Sequence, residues 1–392
     1  MRIEPLSRLR YCLIAAVSIA GLAPPASADD ISVSLAGGAT AIMYNSQTDG
    51  CAPIDTPDID PRAYRDDSGD IVMFTLHYIN RALRGPDLQH LKIDCRAALE
   101  SGLAANPAQY NDRRYMTATW TDDGRHVTGI VHHEYHAEDH KKCAFKATIE
   151  CWFNSVLSFS SSDGGHSFAL DTPAVVASAP FTQDSGQGRH RGFFNPSNIV
   201  SNGGNAYFMA STTGWQGQDN GVCLFRSPNP LDSASWRAFD GASYSIHYAD
   251  PYAGKVAAPR ACKIIEPFGL PVGSIVRHVA TGKWIAVWMA KANDADIPVP
   301  GFYYATSSNL LDWSRPKLLM TGKTIHESAC GGSLIAYPSL LDEDAKSRNF
   351  EDAGDSPWLY YVQIAMNGCD TGARNLVRTR LKISGDGMER RQ

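Results

Sequence analysis

Ser161-Ser-Asp-Gly-Gly-His-Ser-Phe168 is a polar turn that closes on a large apolar residue. Its Ser and Asp side chains can accept backbone N–H groups, and its paired glycines can adopt positive φ, so it reads as a tight turn between two strands. Three other stretches share this form: Arg84-Gly-Pro-Asp-Leu-Gln-His-Leu91, Ser227-Pro-Asn-Pro-Leu-Asp-Ser-Ala-Ser-Trp236 and Ser307-Ser-Asn-Leu-Leu-Asp-Trp313. Their closing residues stand roughly 70–80 positions apart, a length that holds one four-stranded sheet.

Short alternating or β-branched runs fill the intervals, and long helical patterns are scarce. The runs include Ile71–Tyr78, Tyr115–Trp120, Val127–His132, Val156–Ser160, Ala206–Ser211, Val222–Arg226, Ser274–Ala280, Trp284–Met289 and Phe302–Thr306. Gly, Asp, Asn, Ser or Pro bounds each of them, as expected of strands. A fifth unit fits after Tyr337, with strands at Trp358–Ile364 and Leu376–Leu381. Ile31–Leu35 also alternates and can add a strand to that last unit. The fold class expected is all-β: a five-bladed β-propeller of four-stranded antiparallel blades, one domain over residues 29–392.

The Ser161-x-Asp163-x-Gly165-x-Ser167-Phe168 turn resembles the Asp-box of sialidase-type propellers, where the Asp caps a turn in the outer part of a blade. That resemblance makes Asp163 structural. Ser308-Asn-Leu-Leu-Asp-Trp-Ser314 resembles a turn of the five-bladed glycoside hydrolases, the arabinanase/xylosidase and invertase/levansucrase group. The resemblance covers blade architecture over most of the chain. It implies an active site at the mouth of the central channel, with carboxylates supplied by different blades.

The leading residues read as a targeting segment. Arg2, Arg8 and Arg10 precede an apolar run from Tyr11 to Leu22, and Ala26-Ser-Ala28 supplies a small-residue cleavage signal. Residues 1–28 are therefore expected to be a signal peptide of a secreted or periplasmic protein. Nine Cys, less Cys12 inside the leader, leave an even number for an oxidising compartment. Sequential pairing is the simplest arrangement: Cys51–Cys95, Cys143–Cys151, Cys223–Cys262 and Cys330–Cys369. A formal charge of -5 argues against nucleic acid as a partner. No later run is long and apolar enough to span a bilayer, so no membrane partner is expected after leader removal.

Glycoside hydrolysis needs an acid and a second carboxylate that acts as base or nucleophile. Acidic residues near the start of each unit are the candidates. In Thr56-Pro-Asp58-Ile-Asp-Pro61-Arg62, Asp58 precedes an inner strand, with Asp60 its close rival. The resemblance gives an Asp placed there the role of base or nucleophile. Arg62 is expected to face the channel, and His77, Asn80 and Arg81 form a polar group able to hold sugar hydroxyls. In His132-His-Glu134-Tyr-His136, read as a strand, His132, Glu134 and His136 share one face. A carboxylate between imidazoles suits a general acid; Asp58 nearby and burial would raise its pKa, whereas a protonated His would lower it. Zinc is the rival for this stretch, but the spacing is not the H-E-x-x-H that sets two His one helical turn apart. A solvated loop is the third possibility.

Asn195 and Asn198 are expected to bind ligand hydroxyls. Glu266 is a further candidate carboxylate, and Arg277 and Tyr337 stand where channel-facing residues belong. No cofactor and no catalytic metal are expected, a structural calcium ion being the one exception admitted. The function expected is an exported glycoside hydrolase acting on a poly- or oligosaccharide. The alternative is a non-catalytic propeller that binds glycan or protein, and a lyase or phosphorylase on the same scaffold comes third.

Overall fold

The computed structural model describes residues 31–179, 190–215, 217–254, 260–293 and 296–385. The expected leader lies outside them. The chain opens with β1 (Ile31–Leu35) and β2 (Ala41–Asn45), both paired with the last strand. Five successive antiparallel units follow. The first is β3 (Pro57–Arg65), β4 (Ile71–Leu76), β5 (Arg81–Gly85) and β6 (Lys92–Ala97). The second is β7 (Arg113–Thr121), β8 (Val127–His136), β9 (Trp152–Ser161) and β10 (Ala169–Ser178). β11 (Arg191–Phe194) links it to the third by pairing with both β9 and β13.

The third unit holds β12 (Val200–Asn202), β13 (Asn205–Thr212), β14 (Gly221–Ser227), β15 (Arg237–Phe239) and β16 (Tyr244–Ile246). The fourth holds β17 (Val272–His278), β18 (Trp284–Ala290), β19 (Gly301–Ser307) and β20 (Lys317–Thr321), with β22 (Asp352–Ala353) parallel to β17. The fifth holds β21 (Ser333–Leu341), β23 (Trp358–Asn367) and β24 (Asp370–Gly385). It begins at Ser333, so Tyr337 lies within its first strand and not before it.

Local chemistry accounts for these elements. The β18 sequence WIAVWMA is buried throughout, because a central strand packed on both faces needs no polar face. The turn at Asp163 is held by its own side chains. Asp163 Oδ1 accepts the His166 and Ser167 N–H groups, each at 3.0 Å, and Ser161 Oγ accepts from Gly165 N at 2.9 Å. Gly165 has φ +77, and a Cβ there would stand 1.9 Å from the Tyr64 hydroxyl, so only glycine fits. Phe168 then packs edge-on against Phe74 of the first unit, with centroids 5.9 Å apart. The turn is thus an inter-sheet clasp. Asp163→Ala is expected to lower stability by roughly 1–2 kcal/mol, as loss of a cap does. Ligand affinity per folded molecule should not move, and an inactive but fully folded variant would contradict this role.

The four disulfides are Cys51–Cys95, Cys143–Cys151, Cys223–Cys262 and Cys330–Cys369, the sequential set. Each closes a loop within one unit or beside it. The segment from Arg348 to Asp352 touches the first four units in turn. Arg348 donates to the carbonyls of Arg65 and Asp66, and Asn349 bonds both backbone groups of Thr121. Glu351 accepts from Ser201 Oγ at 2.9 Å, and Asp352 pairs with Arg277.

Arg62 is buried at 2% exposure and donates to all five units. Its Nε meets Thr117 O at 2.5 Å, and its Nη1 meets Pro61 O at 3.2 Å and Ser339 Oγ at 3.1 Å. Its Nη2 meets Pro196 O at 3.3 Å and Gly273 O at 2.6 Å. The expected substrate-binding role for Arg62 is therefore corrected: a guanidinium has five N–H donors, and all are occupied by protein.

Candidate functional site

In an antiparallel meander, the start of one strand and the end of the next lie on the same edge. That edge gathers Asp58 at the start of β3, His77 just after β4, and Tyr115 near the start of β7. It also gathers His132, Glu134 and His136 at the end of β8, Trp152 at the start of β9, and Arg374 near the start of β24. Tyr337 joins them because the β21 register shifts between Ala336 and Ser339, where Tyr337 adopts φ +55. Such a bulge re-aims a side chain.

Two carboxylates organise the site. Asp58 Oδ1 accepts from the Tyr337 hydroxyl at 3.2 Å and from Arg374 Nη1, while Oδ2 lies 3.2 Å from His77 Nε2. Burial pushes Asp58 up, Arg374 pulls it down, and the charge of Glu134 raises it again, leaving it at about 6. Glu134 Oε2 lies 2.9 Å from His136 Nε2, and Oε1 lies 3.8 Å from His132 Nε2. Burial pushes Glu134 up too. The hydrogen bond to His136 and the fields of His132, His136 and His190 outweigh that and hold it at about 2. Of the opposed influences expected on Glu134, the imidazoles outweigh burial, and Asp58 is the group that rises.

The remaining groups are tuned by the same surroundings. Burial and then the Arg374 charge lower His77 to about 4, so its ring is neutral above that pH. Its Nδ1 is buried with no hydrogen-bond partner. His132 is lowered chiefly by burial, lies against the Asn195 side chain, and leaves Nε2 without a hydrogen-bond partner. Burial, together with the nearby carboxylates, holds the Tyr115 and Tyr337 hydroxyls protonated. His136 stacks on Trp152 at 4.0 Å, and Trp152 Nε1 donates to Glu138 Oε1 at 2.5 Å. Among the described residues, no group of three or more His, Cys, Asp or Glu is arranged to hold a metal ion.

Of the residues expected from sequence, Asp58, His77, His132, Glu134, His136, Asn195 and Tyr337 come together here. Others do not. Asn80 is buried, with Nδ2 donating to the carbonyls of Tyr78, Leu99 and Arg114 and Oδ1 accepting from Met116 N. Asn198 bonds both backbone groups of Ile275, at 2.7 and 2.8 Å. Both amides are structural, because their polar atoms serve backbone that would otherwise be unpaired. Arg277 is exposed and donates to Gly282 O at 3.1 Å while lying over Trp284. Glu266 is exposed in a turn ahead of β17, and Arg277 lies at the far end of that strand.

Arg374, Tyr115 and Trp152 were not singled out from sequence. Tyr115 opens an expected strand, so its face could have been followed to the site. Nothing in the sequence around Arg374 marks it.

No protein-family model matches the chain, and neither does any curated protein. Among solved structures, it is similar to a thermostable family-43 glycoside hydrolase at 14% identity, over 87% of this chain and 96% of that one, with a TM-score of 0.46. It is similar to an N-acetylgalactosamine deacetylase from F. plautii at 11% identity, over 88% and 95%, with a TM-score of 0.47. It is also similar to a GH43_12 protein retrieved from capybara gut metagenome at 10% identity, with a TM-score of 0.44; there it covers 88% of this chain and spans 56% of that one.

Proposed function

We propose that this chain is an exported glycoside hydrolase on a five-bladed β-propeller, with Asp58 as proton donor and Glu134 as its ionised partner. Closure of the ring is supported by Arg62, which bonds all five units, and by β1 and β2, which seat the start of the chain on the last strand. Four disulfides suit an oxidising compartment. The observation that carries the catalytic reading is electrostatic. Two partly buried carboxylates from different units are coupled, the charge of Glu134 raising Asp58, yet their surroundings push one up to about 6 and hold the other at about 2. A pair driven apart in this way divides into acid and base.

In mildly acidic solution Asp58 carries a proton and Glu134 does not. Asp58 gives its proton to the leaving glycosidic oxygen. Glu134 either takes a proton from the attacking water or bonds the anomeric carbon itself. This exchanges the roles expected from sequence. Tyr115, Tyr337, His132 and Asn195 supply polar groups for sugar hydroxyls, and His132 Nε2 has no hydrogen-bond partner within the protein.

The test is an activity screen on plant, bacterial and host polysaccharides, followed by product analysis. Reducing ends released by wild type and lost in Glu134→Gln are the expected result. Glycan binding without turnover would favour the non-catalytic propeller. Unsaturated products, or a requirement for phosphate, would indicate a lyase or a phosphorylase.

A further inference from the structure

We infer that Asp112 is the positioning residue of the Glu134–His136 pair, an assignment that rests on the function proposed above. Pairing between β7 and β8 ends at Arg113 opposite Glu134, so the final residues of β8 have no ladder partner on that side. Asp112 stands one residue before β7 and takes over that work. Its carboxylate, 1% exposed, accepts the His136 backbone N–H at 2.9 Å on Oδ2. The same oxygen lies 3.0 Å from His140 Nε2, and Oδ1 lies 3.2 Å from Arg113 Nη1. The Asp112 N–H in turn donates to His133 Nε2 at 3.2 Å.

One buried carboxylate therefore fastens the strand start that carries Tyr115 to the strand end that carries Glu134 and His136. A buried charge is costly unless fully bonded, and this one is bonded on both oxygens, by a backbone N–H and an imidazole on Oδ2 and by a guanidinium on Oδ1. The consequence for the site is the placement of the His136 ring. With its backbone anchored, His136 keeps Nε2 on Glu134 and its face on Trp152. That hydrogen bond is the foremost influence lowering Glu134. The other charged or titratable groups that act on Glu134, or respond to it, are His132 on its own strand, Tyr115 on β7, and Asp58 and His77 from the first unit. His133 on β8, His190 ahead of β11 and Tyr337 on β21 belong to the same set.

The experiment compares wild type, Asp112→Asn and His140→Ala by 13C NMR titration of the Glu side-chain carboxyls, with Glu134→Gln giving the assignment. In Asp112→Asn either placement of the amide sets its NH2 against a donor, the His136 N–H or Arg113 Nη1, so His136 is held less firmly on Glu134 and the Glu134 midpoint is expected to rise by about one unit or more. His140→Ala removes one partner of Asp112 but not its hold on His136, and should leave the midpoint in place. Turnover of the Asn variant should fall on the order of 10²-fold with little change in KM, the scale of a misplaced catalytic group. An unmoved midpoint in Asp112→Asn would overturn the assignment, and so would an equal shift in His140→Ala or an Asn variant that does not fold. An inactive wild type would instead defeat the hydrolase reading and leave the NMR comparison standing.

Discussion

Asp58→Asn is expected to lose about 10²–10⁴-fold in turnover on natural glycosides while still binding them, the range of general acid–base catalysis. The loss should shrink on aryl glycosides with good leaving groups, since a departing phenolate needs no proton. Glu134→Gln should lose activity on both kinds of substrate, and azide should restore part of it by replacing the missing base or nucleophile. The pH profile carries the same logic. With Asp58 as the proposed proton donor, activity is expected to fall as pH rises through about 6. That limb should disappear in Asp58→Asn measured on an activated substrate. Glu134 loses its charge only toward about 2, so no acid limb is expected from it in ordinary buffers. Full activity in both variants would remove the pair from the chemistry.

Arg62→Met should be the most destabilising substitution in the chain. It leaves the carbonyls of Thr117, Pro196 and Gly273 without their donor and removes the cation 3.7 Å from Asp60. Breaking a buried charge pair costs roughly 3–5 kcal/mol. Arg62→Lys keeps the charge but has only three donors and no planar fork, so it should recover part of the loss and not all of it. Urea unfolding of the disulfide-intact protein checks both. A cost below about 1 kcal/mol for the Met variant would mean that the five units hold together without this residue.

Asp60 adds a pH dependence to stability. Burial raises it to about 7, against the opposing charge of Arg62. A carboxyl raised in the folded state contributes stability below its unfolded value of 3.8, and loses it as pH rises through about 7. Asp58 has the same sign, with its loss complete above about 6. Glu134 has the opposite sign and loses its contribution as pH falls from 4.5 through about 2. His77 and His133, lowered by burial from 6.5 to about 4 and about 3, act the other way as pH falls below 6.5, so the Asp60 contribution is read from the difference between wild type and variant: wild type should lose more stability than Asp60→Asn as pH rises through about 7. Asp60→Asn should flatten the alkaline side of the stability curve.

What the sequence by itself determined is local in origin. Period-two alternation set the strands, including Ile31–Leu35. Ser161, Asp163 and Gly165 set a turn, because the Ser161 and Asp163 side chains accept backbone N–H groups of the residues just after them. An even cysteine count announced disulfides but left about 105 pairings open, and the structure holds the simplest, sequential one. The shared face of His132, Glu134 and His136 also followed from alternation alone.

Tertiary structure decided the rest, because the deciding contacts join residues far apart in the chain. Asp58 meets Tyr337 across 279 positions and Arg374 across 316, and no local pattern announces such a partner. Arg62 sits in a stretch where a channel-facing ligand residue and a buried tie look alike. Only the arrival of Gly273 and Ser339 from 211 and 277 positions away made it a tie. The opposite pKa shifts of Asp58 and Glu134 likewise lay outside the sequence. A pKa is set by the burial and by the charges that the folded chain places around a carboxyl, and for Glu134 the imidazoles outweighed burial.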